Sequence, residues 1–429
     1  MRITILTSGT RGDVQPYVAL AKGLQAAGYR VRLAAPNNFD TFVERYGVEF
    51  APLRADFYKL LDSPEGQALK SGNPIKVMQH MRKSVFPLMR YMLDDSWPAA
   101  QDADAIIFHP KMFNAPHIGE KLNIPVIAAA TLPMITPTGD FPAPGVLNRD
   151  MGRVINRLSY SALGMTTVSF NGMLKEWRRN VLGLPEKSDV VKGYTLRGKP
   201  IPVLYCYSPH VVPVPPDWDD TAHVTGYWWL EEKNDWKPSP ELEQFLAAGA
   251  PPVYVGFGSM IAESPEVTTR TVIEALKQSG QRGVIASGWG GLRPADLPPN
   301  IHLLNEAPHD WLFPRMAAVV HHGGAGTTAA GLRAGKPSVI CPFIADQPFW
   351  GSRVAALGAG PAPIPQKKMT AENLSAAIRL ATGDTSMQRR AAEIGAKLQA
   401  ENGVANAVAV LEELLQTAPK PEMSVPVPQ

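Results

Sequence analysis

The chain has 429 residues, 45% of them hydrophobic, with 36 Gly, 41 Pro and a formal net charge of +3. That is too long for one ordinary core and enough for two domains of roughly 200 residues each. No dense basic run with interleaved aromatics occurs, which excludes nucleic-acid binding; the longest apolar run, Ile124 to Ile135, is interrupted by Pro125 and Pro133 and is too short to cross a bilayer.

The first residues read as strand (RITIL from residue 2), loop, helix (PYVALAKGLQAAG, ending at Gly28) and strand (YRVRLAAP). This is a βαβ unit and predicts a parallel sheet. GVEFAPL, DAIIFHP, IPVIAAA and IPVLYCYS continue it. Because RITIL begins at residue 2, no secretory signal is expected. Between residues 206 and 245 prolines cluster around Trp218, Trp228, Trp229 and Trp236, which predicts an interdomain linker lying on the second domain. Alternation then restarts with PVYVGFGS, a helix over Thr268 to Gly280, RGVIAS, IHLLN, AAVVHH and PSVICP, a second parallel sheet. A final helix is expected from Val404 to Leu415, followed by a Pro-rich tail expected to be disordered. The expected division is 1–210, a linker over 211–245, 246–403, and a terminal helix and tail over 404–429. Cys206 and Cys341 lie in apolar runs with no metal-ligand spacing, so both are expected as free buried thiols in a reducing, cytoplasmic compartment. Residues 1–215 carry 25 Lys and Arg against 17 Asp and Glu, and the remainder 17 against 22. The basic half suits an anionic ligand or peripheral contact with an anionic membrane.

Two parallel sheets with facing carboxyl edges leave a ligand cleft between them. In the second half, the strand ending at His321 runs into Gly323, Gly324, Gly326 and Gly331, with Ala325, Thr327 and Thr328 at the start of a helix. Glycines admit a ligand close to the backbone, and a helix N-terminus offers unpaired N–H groups to an anion. The chemistry suggested is diphosphate binding, but neither a P-loop nor a GxGxxG dinucleotide fingerprint is present. Asp346 and Gln347 follow the next strand, where a carboxylate and an amide can hold vicinal sugar hydroxyls.

Taken together, TSGTRGDVQP, GFGSM, NEAPHDWLF, HHGGAGTT and PFIADQPFWG resemble the inverting, UDP-sugar-dependent glycosyltransferases of the GT-B fold over nearly the whole chain. The similarity is greatest to sterol 3-beta-glucosyltransferases and to antibiotic and rhamnolipid glycosyltransferases. The resemblance implies an α/β fold with two facing, doubly wound, Rossmann-like sheets. It implies an N-terminal acceptor domain and a C-terminal domain for the nucleotide sugar, which is a co-substrate and not a cofactor. By position, His321 matches the diphosphate-contacting histidine, with Gly324, Ala325, Gly326 and Thr327 beside it. Asp346 and Gln347 match the residues that hold the sugar, and Gly258 and Ser259 a second phosphate turn. The stretch from Glu306 through Ala307 to His309 matches the one that reads the uracil edge. Plant members carry Trp where Glu306 stands, and Trp289 is an alternative stacking face.

In the loop after the first strand, Thr10 and Arg11 are placed to touch phosphate, and Asp13 is its only carboxylate. The resemblance implies that Asp13 is the general base, its proton affinity raised by desolvation in a closed cleft. His109, after AIIF, is a candidate to orient Asp13 or the acceptor. No metal is expected. The acceptor is expected to be hydrophobic. Met81 and Met89 belong to a stripe at helical spacing in residues 76–93, and residues 156–183 are also apolar with basic ends. Residues 136–145 are expected to form a mobile loop at the mouth. Glucose and a sterol-like or lipidic alcohol lead. Rhamnose or another hexose, and a macrolide, hydroxy fatty acid or flavonoid acceptor, stay open, as do a UDP-sugar 2-epimerase and a non-catalytic binding protein.

Overall fold

The apolar runs become strands buried on both faces, which is why they read as continuous and not alternating. The computed structural model describes residues 1–55, 81–231, 236–258, 265–287 and 297–417. In the first half, β1 (Arg2–Leu6), α1 (Arg11–Ala26), β2 (Arg30–Pro36), the short α2 (Asp40–Glu44) and β3 (Glu49–Leu53) come first. They are followed by α3 (Phe86–Ala100), β4 (Ala105–Phe108), α4 (Ala115–Leu122), β5 (Val126–Ala130), α5 (Arg153–Val168) and α6 (Asn171–Asn180). A small hairpin, β6 (Thr195–Leu196) and β7 (Lys199–Pro200), precedes β8 (Val203–Tyr205) and β9 (Ala222–Val224). The main sheet has the order β3-β2-β1-β4-β5-β8-β9, parallel throughout. Its strand order reverses between β1 and β4, where Leu6 pairs with Phe108.

The second half holds α7 (Pro240–Ala247), β10 (Val253–Gly256), α8 (Pro265–Ser279), β11 (Gly283–Ala286), β12 (Ile301–Leu304) and the one-turn α9 (His309–Leu312). Next come β13 (Ala318–His321), α10 (Ala325–Arg333), β14 (Ser338–Ile340), α11 (Gln347–Ala356), α12 (Ala371–Gly383), α13 (Thr385–Ala400) and α14 (Gly403–Thr417). The sheet order is β12-β11-β10-β13-β14, again all parallel, with its switch between β10 and β13 at the Gly256–His321 pair. Cys206 and Cys341 are both free and buried.

Three expectations change. The first helix begins at Arg11 and not near Pro16. Thr10 is its N-cap, and Asp13, at the third helical position, takes the Thr10 N–H at 2.8 Å. Proline's preference for a first turn misplaced that boundary. Within 211–245, Ala222–Val224 forms the seventh strand of the first sheet, and Trp228 joins the first half's core; Trp236 packs on the second half against Trp311, and Trp229 lies under the Arg333 guanidinium of α10. Residues 136–145 are pinned and not loose. Asp217 accepts from the Thr138 hydroxyl at 2.6 Å and the Gly139 N–H at 2.9 Å, and Phe141 meets Phe349 of the second half at 5.7 Å between ring centroids.

The halves are held by returning chain as well as by the cleft walls. Helix α14 crosses back onto α1, with Ala407 and Leu411 fully buried in the first half's core. Gly23 permits that approach, since any side chain there would overlap Val404. The Arg353 guanidinium donates to the Val211 carbonyl at 2.9 and 3.1 Å.

Candidate active site

A switch point in an open α/β sheet gathers the loops that follow its two central strands. In the first sheet those loops carry Asp13 and His109, brought together from 96 positions apart because β1 pairs with β4. The His109 N–H donates to the Leu6 carbonyl at 2.8 Å, which fixes the loop. Asp13 Oδ1 lies 3.3 Å from His109 Nε2, and Oδ2 accepts from Lys111 Nζ at 2.9 Å and from the Thr10 N–H at 2.8 Å. His109 Nδ1 accepts the Lys111 backbone N–H at 3.1 Å, which assigns the ring proton to Nε2 and aims it at Asp13. His109 is buried and neutral, its proton affinity lowered by that burial against the pull of Asp13.

The expectation that the cleft raises Asp13's proton affinity is reversed. Burial does raise it, but the Lys111 ammonium and the His109 hydrogen bond together outweigh burial and hold the carboxyl well below its usual range. Lys111 was not singled out in the sequence. A cation one residue after HP at a strand's carboxyl edge was its only signal.

In the second sheet the loops after β10 and β13 meet in the same way. Here the expected histidine is displaced by one residue. His321 is fully buried at the end of β13, its Nδ1 accepting the Gly323 N–H at 3.1 Å, and it does not line the cleft. His322 lines it, its ring seated between Gly258, whose φ is +59°, and Gly324. Burial depresses His322 to about 4 and leaves it neutral. Both rings keep a buried nitrogen with no protein partner, Nε2 in His321 and Nδ1 in His322. Gly324 is the N-cap of α10 with no side chain covering the helix end, so the first-turn N–H groups of Ala325, Gly326 and Thr327 open into the cleft.

Asp346 and Gln347 line the cleft as expected. Asp346 Oδ2 accepts from Trp350 Nε1 at 2.8 Å; burial and then the charge of Asp13 raise its proton affinity. Asp13 and Asp346 line the same cleft from the two halves. Gln347 Oε1 caps the preceding turn, accepting the Phe343 and Ile344 N–H groups at 2.7 and 3.2 Å. Ala345, just before this pair, adopts a left-handed φ of 58°. Ala307 and His309 line the cleft; His309 stacks on Phe313 at 4.2 Å and is lowered to about 4, chiefly by burial and then by Arg11 and His322. Glu306 pairs with Arg11 of the first half at 3.2 Å. Thr10 and Arg11 therefore serve the helix start and the interdomain contact, in addition to lining the cleft. Ser259 and Trp289 lie outside the described residues.

From Asp13 the cleft opens into one cavity of about 2440 Å³. Its apolar part is lined by Val85, Met89, Phe113, Tyr160, Leu163 and Phe170. Met89 thus stands where expected. Met92, of the same stripe, is fully buried in the core and does not line the cavity. The side chain of Met81 and residues 76–80 lie outside the described residues. Among the described residues, no group of three His, Cys, Asp or Glu could hold a metal ion, and no helix is long and apolar enough to cross a membrane.

Transfer from a nucleotide sugar needs an anion cradle on one wall and a proton acceptor on the other, and GT-B glycosyltransferases place these on two facing sheets. Comparison with known proteins gives the same class. Residues 3–137 match the glycosyltransferase family 28 N-terminal domain, and residues 290–414 match the C-terminal domain of proteins like erythromycin biosynthesis protein CIII. The fold is shared with the solved glycotransferase of kitacinnamycin, with a TM-score of 0.72 at 19% identity over 96% of this chain and 99% of that one. It is also shared with the calicheamicin glycosyltransferase CalG4, with a TM-score of 0.64 at 18% identity over 97% and 99%. Sterol 3-beta-glucosyltransferase UGT80A2 of Arabidopsis thaliana is 40% identical over 100% of this chain and 68% of that protein. A sterol 3-beta-glucosyltransferase of Neosartorya fischeri is 38% identical over 97% of this chain, which spans 30% of that longer protein. The chain belongs to the sterol 3-beta-glucosyltransferase family of UDP-sugar glycosyltransferases.

Proposed function

We propose that the chain is an inverting glucosyltransferase that moves glucose from UDP-glucose to the hydroxyl of a sterol-like or other lipidic alcohol. The first half holds the acceptor and the second the nucleotide sugar. The observation that carries the reading is the position of Asp13. It sits between an apolar cavity on its own half and an uncapped helix end, with Asp346, on the other. The names of the relatives supply glucose and sterol.

In this reading the diphosphate lies on the N-terminus of α10 with His322 beside it, and Asp346 and Gln347 hold the sugar hydroxyls. The acceptor hydroxyl hydrogen-bonds Asp13 Oδ1, which lies 3.3 Å from His109 Nε2. As the acceptor oxygen bonds to the anomeric carbon, its proton passes to Asp13 and the bond to the diphosphate oxygen breaks from the opposite face. The electron pair leaves on UDP, where the α10 amides and a neutral His322 receive it. One displacement turns an α-linked donor into a β-glucoside. A carboxylate held strongly ionised is a weak base in the resting enzyme. Desolvation of the carboxylate when the acceptor displaces water works in the direction of raising its proton affinity.

The test is UDP release from UDP-glucose with and without a sterol, read alongside product mass and anomeric configuration. Sterol-dependent release with a hexose mass gain and a β-linkage is the expected result. Release that no sterol or lipidic alcohol stimulates would overturn the reading.

A further inference from the structure

One face of α5 has its polarity inverted. Val154, Ile155 and Leu158 recur at helical spacing in its first turns and are 73, 45 and 64% exposed, and Met151, two residues before the helix, is 53% exposed, so an apolar stripe looks outward at this end of the helix. The polar residues of the same turns point inward. Asn156 is buried and donates to the Gly139 carbonyl at 2.9 Å, and Ser159 accepts the Ala143 N–H at 2.7 Å. Of the twelve large hydrophobic residues exposed among the described residues, five fall between 151 and 168. Scattered exposure is ordinary on a protein surface, but concentration on one helix face marks a contact.

Charge flanks the stripe. Arg153 and Arg157 stand one helical turn apart beside it, and the exposed Arg149 and Asp150 precede the helix. Arg153 pairs with Asp140 at 2.8 Å and Arg157 with Asp217 at 3.2 Å. The two guanidinium side chains are 65 and 58% exposed and the two carboxylates 33 and 20%, so the outermost charge on this flank is positive. The inner side of the same helix supplies Tyr160, Leu163 and Gly164 to the apolar cavity. Stripe and cavity are therefore the two sides of one helix.

We propose that this face of α5 docks on an anionic lipid bilayer. The stripe enters the boundary between headgroups and acyl chains while the arginines meet lipid phosphates. Docking sets the cavity against the membrane that dissolves a lipidic acceptor, and so rests on the acceptor class proposed above. A helix lying in the interface with an apolar stripe and a basic flank needs no membrane-spanning segment.

The test is flotation of the full chain with vesicles of equal parts phosphatidylcholine and phosphatidylglycerol, against the triple variant Val154→Ser, Ile155→Ser, Leu158→Ser. All three side chains are exposed, so the variant keeps its fold, and an unchanged melting temperature checks this. The wild type is expected to float, and the variant's bound-to-free ratio to fall roughly tenfold or more. Transfer to sterol embedded in the vesicles falls in parallel, and transfer to sterol delivered in cyclodextrin does not. Wild-type protein that stays unbound, equal binding by the variant, or equal binding to pure phosphatidylcholine would overturn the proposal. So would a wild-type dimer that the triple substitution dissociates, which would give the stripe to a second copy of the chain. Absence of transfer in either sterol format sinks the acceptor reading alone, because flotation still reports docking.

Discussion

The two switch points share a topology and differ in how each treats the helix that follows its central strand. Helix α1 is closed by its own residue: Asp13, in its first turn, takes the Thr10 N–H and fills the positive end. Helix α10 starts at Gly324 with no acidic residue in its first turn and no side chain over its end. Both ends carry the same dipole, so an anion is admitted only at the second. The first becomes a place where a carboxylate is held, ionised and aimed, and the second a place where charge can arrive. The difference teaches that a single acidic residue decides whether this fold unit's helix end is filled from within or left open.

Under the proposed mechanism, Asp13→Asn should have the largest effect. Asn at Asp13 still accepts the Thr10 N–H, so α1 remains capped while proton transfer is lost. We expect kcat to fall roughly a thousandfold with UDP affinity nearly unchanged, measured by steady-state rates and calorimetry. Loss of UDP binding instead would mean that Asp13 serves the donor. The converse substitution makes the second switch point resemble the first. Gly326→Asp adds a carboxylate to the first turn of α10, where a Cβ meets nothing within 4 Å. Helix stability should hold or rise, by about 0.3–1 kcal/mol, while UDP affinity falls about a hundredfold. Unchanged UDP affinity would place the diphosphate elsewhere.

The adjacent histidines sharpen the same contrast. His322→Ala should lower kcat/KM for the nucleotide sugar by roughly 10- to 100-fold with little change in melting temperature. His321→Ala should chiefly lower the melting temperature, because it empties a fully buried position. The opposite pattern would return the donor role to His321.

This pair also shows where the sequence stops being legible. Both sheets were readable because strands buried on both faces leave unbroken apolar runs, and the glycine cluster after β13 was readable because few other jobs need it. Which histidine enters the cleft depends on where the strand ends, a one-residue question that composition does not answer. Lys111 was invisible as a partner of Asp13 because the contact exists only through the pairing of β1 with β4. β9 was missed because three residues, Ala222–Val224, are too few to show a pattern among prolines and tryptophans. Asp13 was legible as the proposed base, but its electrostatic state was not, since burial and the neighbouring cation act in opposite directions and only geometry weighs them.

That state can be tested at Lys111. Its ammonium favours the ionised form of Asp13, so Lys111→Met should raise the proton affinity of Asp13 and move the acid limb of kcat/KM toward higher pH. At neutral pH the rate should change only a few-fold, and Lys111→Arg should restore the acid limb. The stability consequence has the same origin. A depressed carboxyl contributes stability above its unfolded value of 3.8, which is lost as pH falls through the folded value. The wild type should therefore keep this contribution at mildly acidic pH, and Lys111→Met should lose its share at a higher pH in an acid melt. A pH profile that does not move would remove Lys111 from the electrostatics of the base.

The smallest effect is expected where the two halves touch through an exposed ion pair. Arg11, at the start of α1, pairs with Glu306, after β12, at 3.2 Å, with side chains 42 and 79% exposed. Water and salt screen such a pair, so its coupling should be under about 1 kcal/mol. A double-mutant cycle with Arg11→Gln and Glu306→Gln, read in UDP affinity, should give coupling that shrinks as salt rises. Glu306 stands where the resembling plant enzymes carry Trp, so its single substitution discriminates two roles. A change in UDP affinity of no more than about threefold, matched by Arg11→Gln, is the behaviour of an interdomain contact. A larger loss confined to Glu306→Gln, and insensitive to salt, would mean that the carboxylate touches the nucleotide itself. In that case the cleft would be closed by the donor and not by this ion pair.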